Sequence, residues 1–576
     1  MLASAPRMAT HHTPIHLAAA EAVAARAGVA ATDLKVESPP RADLGDLAVG
    51  CFAIAKAQSK NPAQVAKDLA LGFTPGGYLA AATAAGPFIN FQIDRAAAFR
   101  WIADAALRNL LVPNQVGTGK TICIDFSSPN ISKHLAYHHI RGTTIGHALS
   151  KIFRALGYKV VGINFLGDWG TTHGMLLAAA ARWGVPEPLD VTALNDLYVR
   201  FRAAIKEDPA VEQEGRSWFK RLEDGDPAAR ALWQRFRDVS WAEFEEVYKL
   251  LGIVFEEVRG EAAYEPDMPR VLAELAPLMT ESEGAQVVEL EGEKNPILLK
   301  TKDGTTLYAT RDVAAAQYRW TTFHPTRSLY VVDRGQAHHF RQLFKLLLKA
   351  GHSWATVCEH VPYGLIRVSG KKTSTRLGNV VLMRDVFKIA EDEVREIIAR
   401  VHPELPAAIV DDVAPKVGIG AVVFANLATQ REKDIDFDLE KAASLDGDSG
   451  PYIQYSHARC ASIARKAGEK ITSVEGIDFG LLVHDAEWAV AKKLLDFPDV
   501  VVRAADHSEP HGVAHYLLQL AGEFSRWYSL GNGDAALRVI CDDPALRRAR
   551  LALVAAAQAT FATGLGLLGI AAPDQM

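Results

Sequence analysis

The sequence predicts a multidomain protein with three parts: an α+β N-terminal module, a parallel α/β domain with a helical insertion, and an all-α C-terminal bundle. Three observations support this fold class. The chain has 576 residues, which is enough for roughly three or four domains. A strand–helix–strand pattern begins near residue 121, and an almost wholly helical pattern follows residue 385.

The N-terminal module is predicted to occupy residues 1–115. Ala-rich helical patterns alternate with a polar loop at 37–46, and an extended run at 86–93 closes the module. Pro113 and Gly117 mark a linker, after which the periodicity changes.

The second domain is predicted over residues 116–449. It begins with a strand at Thr121–Phe126, a helix at about 138–156 and a strand at Lys159–Phe165. This spacing implies a right-handed crossover in a parallel sheet. Further strands are predicted at Thr305–Ala309, Ser328–Asp333 and His360–Ile366. A charged helical segment at about 184–290 is predicted to be inserted between them.

The C-terminal bundle is predicted over residues 450–576, with further helices from about residue 385. The helical patterns cover Asp385–Val401, Pro415–Thr429, Tyr452–Ala467, Asp485–Leu495, His511–Leu530 and Pro544–Thr563. The uncharged stretch Leu551–Ala572 is long enough to raise a membrane question. Because it is rich in Ala and Gly, we expect a buried helix followed by a turn, and no membrane partner.

Composition excludes disordered, collagen-like and disulfide-stapled proteins. The formal charge of −5 means that any surface for nucleic acid must be a local basic patch. The five cysteines form no Cys-x-x-Cys pair, so neither a zinc ribbon nor a disulfide framework is expected. The N-terminus lacks the apolar region of a signal peptide, and a cytoplasmic location is expected.

Three local patterns are set aside. Gly119-Lys120-Thr121 precedes a strand, whereas a P-loop joins a strand to a helix. The run 564–569 matches G-x-G-x-x-G, but seven residues follow it, too few for a βαβ unit, so it is predicted to be a helix end and turn. His134 and His138 have the spacing of metal ligands on a helix, but no third ligand is fixed and no metal site is expected.

The turn Ser127–Lys133 follows the first predicted strand of the parallel sheet and precedes a helix. Parallel sheets bind ligands outside the carboxyl ends of their strands. Helix N-termini present unpaired N–H groups to anions. We therefore expect this turn to bind a triphosphate, with Lys133 and His139 as further donors. An ordinary capped turn is the alternative.

Seven ordered motifs resemble those of the arginyl-tRNA synthetases, a class I family. They are Ser127-Ser128-Pro129-Asn130-x-x-Lys133, His139-Ile140-Arg141-x-Thr143, Asn164-x-Leu166-Gly167-Asp168-Trp169-Gly170, Leu307-Tyr308-Ala309-Thr310-Arg311-Asp312, Gln336-x-x-His339-Phe340, Ser374-Thr375-Arg376-x-Gly378-Asn379 and Pro451-Tyr452-x-Gln454-Tyr455-x-His457-Ala458-Arg459. The resemblance covers nearly the whole chain. It implies an N-terminal domain that contacts the outer corner of tRNA, a Rossmann-like catalytic domain whose insertion helps to hold the acceptor end, and a helical anticodon-binding domain.

The resemblance implies arginine–tRNA ligase activity. Arginine and ATP would form arginyl-adenylate and release pyrophosphate, and arginine would then pass to the 3′ end of tRNA-Arg. ATP is expected as a substrate together with Mg²⁺, without protein-bound zinc, and the protein is expected to be a monomer. In this family the first step usually requires bound tRNA.

The resemblance also identifies site residues. Those expected around arginine are Asn130, Asn164, Glu261, Tyr308, Asp312 and Gln336. Those expected at ATP are Ser128, Pro129, Lys133, His139, Gly142, Gly364 and Ser374. The catalytic candidates are Lys133, His138, His139, Lys372 and Arg376. Asp312 suits its role because a guanidinium is permanently charged and needs a paired carboxylate when buried. The basic groups would neutralise the leaving pyrophosphate.

Both class I signatures are altered. His-x-Gly-His is replaced by Ala136-Tyr137-His138-His139, and Lys-Met-Ser-Lys-Ser by Lys372-Thr373-Ser374-Thr375-Arg376. A side chain at His138 is expected to obstruct adenine unless the loop is displaced, and His134 or His138 could replace the lost donor. Two alternatives therefore stand beside a ligase: a catalytically silent tRNA-binding paralogue, and an unrelated nucleotidyltransferase that uses the same turn.

Overall fold

The structure is a computed structural model that describes residues 11–300, 308–368 and 381–576. Its N-terminal module is an α+β unit in which helices cover one four-stranded antiparallel sheet of order β1-β2-β4-β3. The elements are α1 (Pro14–Ala27), β1 (Val36–Glu37), β2 (Leu47–Gly50), α2 (Phe52–Gln58), α3 (Pro62–Leu71), β3 (Leu79–Ala85), β4 (Phe88–Ile93) and α4 (Arg95–Leu107).

A parallel α/β domain follows. Its first half contains β5 (Thr121–Asp125), α5 (Ile140–Ala155), β6 (Lys159–Asn164), α6 (Thr171–Trp183), α7 (Val191–Glu207), α8 (Val211–Glu223), α9 (Pro227–Leu250), β7 (Glu257–Val258) and α10 (Met268–Leu275). Its second half contains β8 (Thr280–Ser282), β9 (Ala285–Val288), β10 (Ile297–Lys300), α11 (Tyr308–Phe323), β11 (Arg327–Asp333), α12 (Ala337–Lys349), β12 (Cys358–Tyr363) and β13 (Ile366–Val368).

The central sheet of this domain has the order β12-β11-β5-β6-β7, and all of its pairs are parallel. The strand order therefore reverses between β5 and β11. The chain first adds β6 and β7 on one side of β5, and later adds β11 and β12 on the other side of β5. Ligands bind at the carboxyl ends of parallel strands beside such a reversal. The Rossmann-like prediction is confirmed.

The helical domain at the C-terminal end is reached through two long helices. The elements are α13 (Met383–Val401), α14 (Ala407–Leu427), β14 (Ile435–Phe437), α15 (Leu439–Ala442), α16 (Gly450–Ala467), α17 (Asp485–Asp506), α18 (His511–Gly533) and α19 (Pro544–Leu567). Among the described residues, α19 is the one helix long and apolar enough to cross a membrane, and 67% of its most apolar window is buried in the protein.

Several element predictions are wrong in their bounds. Residues 308 and 309, predicted to end a strand, begin the helix α11, whose buried Ala314–Ala316 stretch favours helix packing. The insertion is not helical to residue 290, because β8 and β9 form an antiparallel hairpin there. The strand expected to reach Ile366 ends at Tyr363.

Two helix boundaries also differ from the predictions. Pro415 does not begin a helix: it lies inside α14, and Pro406 precedes that helix. Because proline is favoured in the first turn of helices, the sequence indicates a helix start at Pro415 that the structure does not have. The helix predicted to end at Leu495 continues through Pro498 to Asp506.

Candidate active site

Each of the five strands of the parallel sheet ends beside a predicted site residue. The residues, in strand order along the chain, are Ser128, Asn164, Glu261, Gln336 and Gly364. Since the strands are parallel, their carboxyl ends lie along one edge of the sheet. This edge is the candidate active site.

The turn after β5 is held in an unusual backbone conformation by its own hydroxyl groups. Ser127 and Ser128 have φ values of 69° and 42°. The Ser128 hydroxyl donates to Asp125 Oδ1 at 2.7 Å and accepts from the backbone N–H of Phe165 at 3.0 Å. The Ser127 hydroxyl lies 2.8 Å from the Thr143 hydroxyl. The side chains of both serines therefore fix the turn.

This turn is joined to the loop after β6 by backbone hydrogen bonds. The N–H of Gly167 donates to Pro129 O, and the N–H of Ile131 donates to Gly167 O, each at 3.1 Å. A Cβ atom at position 167 would lie 1.9 Å from Asn130 Oδ1. The glycine at 167 therefore leaves room for the side chain of Asn130, which is exposed at the edge of the site.

The basic side of the site contains Lys133, His138 and His139. Lys133 and His138 are exposed, while His139 is half-buried with its ring centroid 4.0 Å from that of His138. Burial lowers the pKa of His139 to about 4, and the positive charges of His138 and Lys133 add to the effect. His139 Nδ1 lies 3.0 Å from Ala136 O, so this nitrogen carries the hydrogen. In the neutral ring, Nε2 is then an acceptor.

His134 is not available as a replacement donor. Its Nδ1 lies 2.8 Å from Glu243 Oε1 on α9, and its Nε2 lies 3.3 Å from the Thr192 hydroxyl on α7. Both ring nitrogens are therefore used in contacts with the insertion. Of the two histidines suggested by the sequence, His138 is the one whose side chain is free of hydrogen bonds to the described residues.

The end of β12 is packed tightly through two glycines. A Cβ atom at Gly142 would lie 2.7 Å from the Tyr363 hydroxyl, and one at Gly364 would lie 2.5 Å from Lys433 O. The N–H of Gly364 donates to Arg431 O at 2.8 Å. Both glycines therefore permit close contact at this end of the sheet.

Arg141, the second residue of α5, is completely buried. Its guanidinium donates to the backbone carbonyls of Arg431 at 2.8 Å and Lys433 at 3.0 Å. The segment 426–433, hereafter the carbonyl loop, thus joins α5 to the end of β12. The sequence motif contains Arg141, but its partners are nearly 300 residues away in the chain.

The second signature falls on residues 369–380, so Lys372, Ser374 and Arg376 lie outside the described residues. The chain that follows them is described. The N–H of Tyr137 donates to Val381 O at 2.8 Å, and the N–H of Met383 donates to Leu135 O at 3.0 Å. The residues that follow the second signature are therefore hydrogen-bonded to the first signature and to the residue before it.

The acidic side of the site is centred on Glu261. Its N–H donates to Leu166 O at 3.0 Å, which places it beside the loop after β6. Glu261 Oε2 is buried and has no hydrogen-bond partner among the described residues. Burial raises the pKa of this carboxyl group to about 8; the charge of Arg311 opposes the change and that of Asp312 adds to it.

Asp312 lies in the second turn of α11, and not at the exit of a strand. Its Oδ2 is 2.6 Å from His339 Nε2. Burial disfavours the charged imidazole, but the hydrogen bond to Asp312 and the charge of that carboxylate together raise the pKa of His339. His339 was not assigned a role from the sequence, although it lies within one of the motifs.

The remaining arginine-site candidates have mixed positions. Asn164 is completely buried; its Nδ2 donates to the Tyr248 hydroxyl at 3.0 Å, and its Oδ1 has no hydrogen-bond partner among the described residues. Gln336 is exposed in a short 3-10 helix. Tyr308 begins α11, and its side chain is outside the described part.

Asp168 is a further site residue. It belongs to one of the sequence motifs, but the motif does not indicate its role. It is buried, and its Oδ1 accepts from the N–H of Ala262 at 2.9 Å, next to Glu261. Arg237 Nε lies 3.2 Å from its Oδ2. Asp168 therefore positions the Glu261 backbone. Within the described ranges, no group of three or more His, Cys, Asp or Glu side chains could hold a metal ion.

A second candidate site is a cavity of about 440 Å³ in the helical domain. Its lining includes Tyr455, Arg459, Tyr528, Asn532 and Met576. The guanidinium carbon of Arg459 lies 4.7 Å from the ring centroid of Tyr455 and 5.1 Å from that of Tyr528. Tyrosine rings beside a guanidinium suit a nucleic-acid base.

Three family models match successive parts of the chain. The N-terminal domain of arginyl-tRNA synthetases matches residues 15–93, the catalytic domain of class I tRNA synthetases (R) matches 102–439, and the DALR anticodon-binding domain matches 453–576.

Whole-chain relatives agree with these matches. The chain is 42% identical to an arginine–tRNA ligase of Exiguobacterium sp., over 94% of this chain and 95% of the relative. It is 40% identical to that of Clostridium perfringens, over 94% and 96%. Its structure is similar to that of the Thermus thermophilus arginyl-tRNA synthetase, with a TM-score of 0.80 and 27% identity over 97% of this chain and 99% of the other.

Proposed function

Because the chain belongs to the class I arginyl-tRNA synthetases, it is an arginine–tRNA ligase, and we propose that Glu261 and Asp312 bind the guanidinium group of its arginine substrate. The observation that carries this proposal is the buried Glu261 oxygen without a partner, in the field of a second carboxylate. The negative charge of Asp312 disfavours ionisation of the buried Glu261 carboxyl group, and a cation that enters the site would favour it.

Arginine provides that cation. Its guanidinium is planar and permanently charged, and it donates hydrogen bonds in a fork that fits carboxylates. Binding would lower the pKa of Glu261 and release its proton. Asn164 Oδ1, also buried without a described partner, would accept from another substrate N–H group. Asn130, Tyr308 and Gln336 complete the proposed arginine site.

ATP is the second substrate, and we propose that it binds along the basic side. Pro129 and Ser128 form the turn, Gly142 and Gly364 allow the close packing against Tyr363 and Lys433 that would shape the adenine position, and Ser374 would contribute from the second signature. The phosphates would approach Lys133 and His139. Since His139 is neutral with Nε2 as an acceptor, it must gain a proton before it donates to a phosphate, and the phosphate charge favours that proton.

Adenylate formation is an attack of the arginine carboxylate on the α-phosphate, with pyrophosphate as the leaving group. The proposed catalytic groups neutralise the charge that develops on pyrophosphate. They are Lys133, His138, His139, Lys372 and Arg376. Mg²⁺ would arrive as part of the MgATP substrate.

The tRNA contacts are divided among three proposed domains: 1–115, 116–449 and 450–576. The helical domain would read the anticodon, and we propose that the cavity lined by Tyr455 and Arg459 receives one of its bases.

A cytoplasmic monomer without membrane attachment is proposed. Four of the five cysteines are buried as free thiols, which suits a reducing compartment.

The test is aminoacylation of tRNA-Arg with each amino acid in turn, together with arginine-dependent ATP–pyrophosphate exchange with and without tRNA. We expect arginine alone to be attached. Failure to form arginyl-tRNA at high enzyme concentration would instead favour a silent tRNA-binding paralogue.

A further inference from the structure

His339 and Asp312 form a close pair between two helices at the carboxyl edge of the sheet. Asp312 lies in the second turn of α11 and His339 in the first turn of α12, with 2.6 Å between Nε2 and Oδ2. The side chains of His339 and Asp312 are 27% and 19% exposed. At this burial a carboxylate hydrogen bond is stronger than at the surface.

The chemistry of the pair fixes the proton on one imidazole nitrogen. An ionised carboxylate can only accept hydrogen bonds, so Nε2 carries a hydrogen and donates it. Asp312 Oδ2 is thereby held, while Oδ1 makes no hydrogen bond to a described residue. The carboxylate is oriented by protein and still has acceptor capacity for a substrate.

The imidazole itself is held by its neighbours. The ring of His339 packs at 71° against Phe340, with 5.4 Å between centroids. Phe340 is buried and in turn stacks on His360 of β12, with 4.8 Å between centroids. The orientation of Asp312 therefore depends on α12 and the strand beneath it.

We propose that His339 is a positioning residue for arginine recognition, acting through Asp312 and not through contact with the reacting atoms. This inference rests on the proposed arginine site. A flexible carboxylate would lose rotational freedom when arginine binds, whereas one already held by His339 is in place beforehand. His339 should therefore affect arginine binding and leave ATP binding unchanged.

His338 is a matched control. It is adjacent in sequence, lies on the same helix, and is exposed, with Nδ1 3.6 Å from Glu293 Oε2. The His338→Leu variant makes the same change of residue type without touching Asp312. It should leave the KM for arginine and for ATP within about twofold of wild type, as expected for a surface position.

The experiment measures arginine and ATP KM values in tRNA-Arg charging for three changes at the pair. His339→Leu removes the donor and should raise the arginine KM about 10- to 100-fold, with the ATP KM within about twofold. His339→Gln keeps an N–H donor and should restore most of the loss. In the Asp312→Asn background, His339→Leu should raise the arginine KM little further, because the partner of His339 is already changed.

An equal rise of both KM values, or full additivity with Asp312→Asn, would overturn the positioning role. Circular dichroism and the ATP KM report whether the Leu variant is folded, and the Gln variant tests the inference if it is not. Failure of wild-type protein to charge arginine would contradict the proposed function, whereas normal charging with an unaffected His339→Leu would contradict this inference alone.

Discussion

The guanidinium of Arg431 lies 3.1 Å from the carboxylate of Glu509, so the carbonyl loop beside the predicted nucleotide position is held by the helical domain. Both side chains are 15% exposed. Arg431 Nη1 also donates to Pro362 O at 2.8 Å, and the backbone carbonyl of Arg431 accepts from the Gly364 N–H. Arg431 thus connects the end of β12 to Glu509, which lies in the turn before α18.

Loss of this connection should weaken ATP binding. Arg431→Met removes the contacts with Glu509 and with Pro362 O, so the carbonyl loop keeps Arg141 and the Gly364 N–H as partners but loses this connection to the helical domain. We expect the ATP KM to rise about tenfold, because small displacements of a binding group are costly, while the arginine KM stays within about twofold. Lys220→Met, which breaks an exposed ion pair with Asp224, is the control. Equal ATP KM values for the two variants would disprove the connection.

Glu261 should link arginine binding to pH. Its pKa is raised to about 8 by burial, so the carboxyl group is largely protonated at pH 7 in the empty site. Arginine prefers the ionised form, and its KM should therefore fall as the pH rises from 6 to 8.5. Glu261→Gln should raise the KM about tenfold at pH 8 and flatten this part of the profile. An unchanged pH profile in that variant would contradict the assignment.

The raised pKa of Glu261 also predicts how this residue's contribution to the stability of the unliganded protein changes with pH. A carboxyl whose pKa is higher in the folded state than in the unfolded state keeps its full contribution below the unfolded value of about 4.3 and loses it as the pH rises through the folded value. The contribution of Glu261 to the stability of the unliganded protein should therefore fall between pH 4.5 and pH 8. Glu261→Gln should reduce this loss in thermal unfolding scans, and a steeper loss would be the opposite result.

His138 tests the altered first signature. It is exposed and touches the His139 ring without a hydrogen bond to the described residues. We expect His138→Gly to lower kcat/KM for ATP by about 100-fold, because it removes a side chain proposed to donate to the leaving pyrophosphate. A change of less than about tenfold would contradict that role. His134→Gln, at a position bound to the insertion, is the comparison.

Asp46 should join the N-terminal module to the helical domain. Its Oδ1 accepts from Trp488 Nε1 and its Oδ2 from the N–H of Ile93, each at 3.0 Å. Asp46→Ala leaves both donors unpaired, which costs about 2 kcal/mol or more, and thermal unfolding should begin at a lower temperature. Asp43→Ala, in the same loop and exposed, should unfold like wild type. Identical curves for both variants would contradict this role.

The sequence predicts the parallel sheet well because strands β5 and β6 are short apolar runs on either side of a helix. It fails at 308–309, where a short apolar run suits either a strand or a helix and the following residues decide. Asn164 and Glu261 are identified by the family resemblance and not by topology, because β7, the short strand before Glu261, lies in a segment predicted to be helical. The role of His339 is identified by neither, because it depends on Asp312, 27 residues earlier and on another helix.

The proposed arginine site is tested most directly by comparing arginine with citrulline, its uncharged isostere, as ligands for the wild type and for the Asp312→Asn variant. If Glu261 and Asp312 bind a cation, wild type should prefer arginine by about 100-fold or more, and most of that preference should disappear in the variant. Weak citrulline inhibition should be similar in both proteins. A variant that keeps the full preference for arginine would contradict the account.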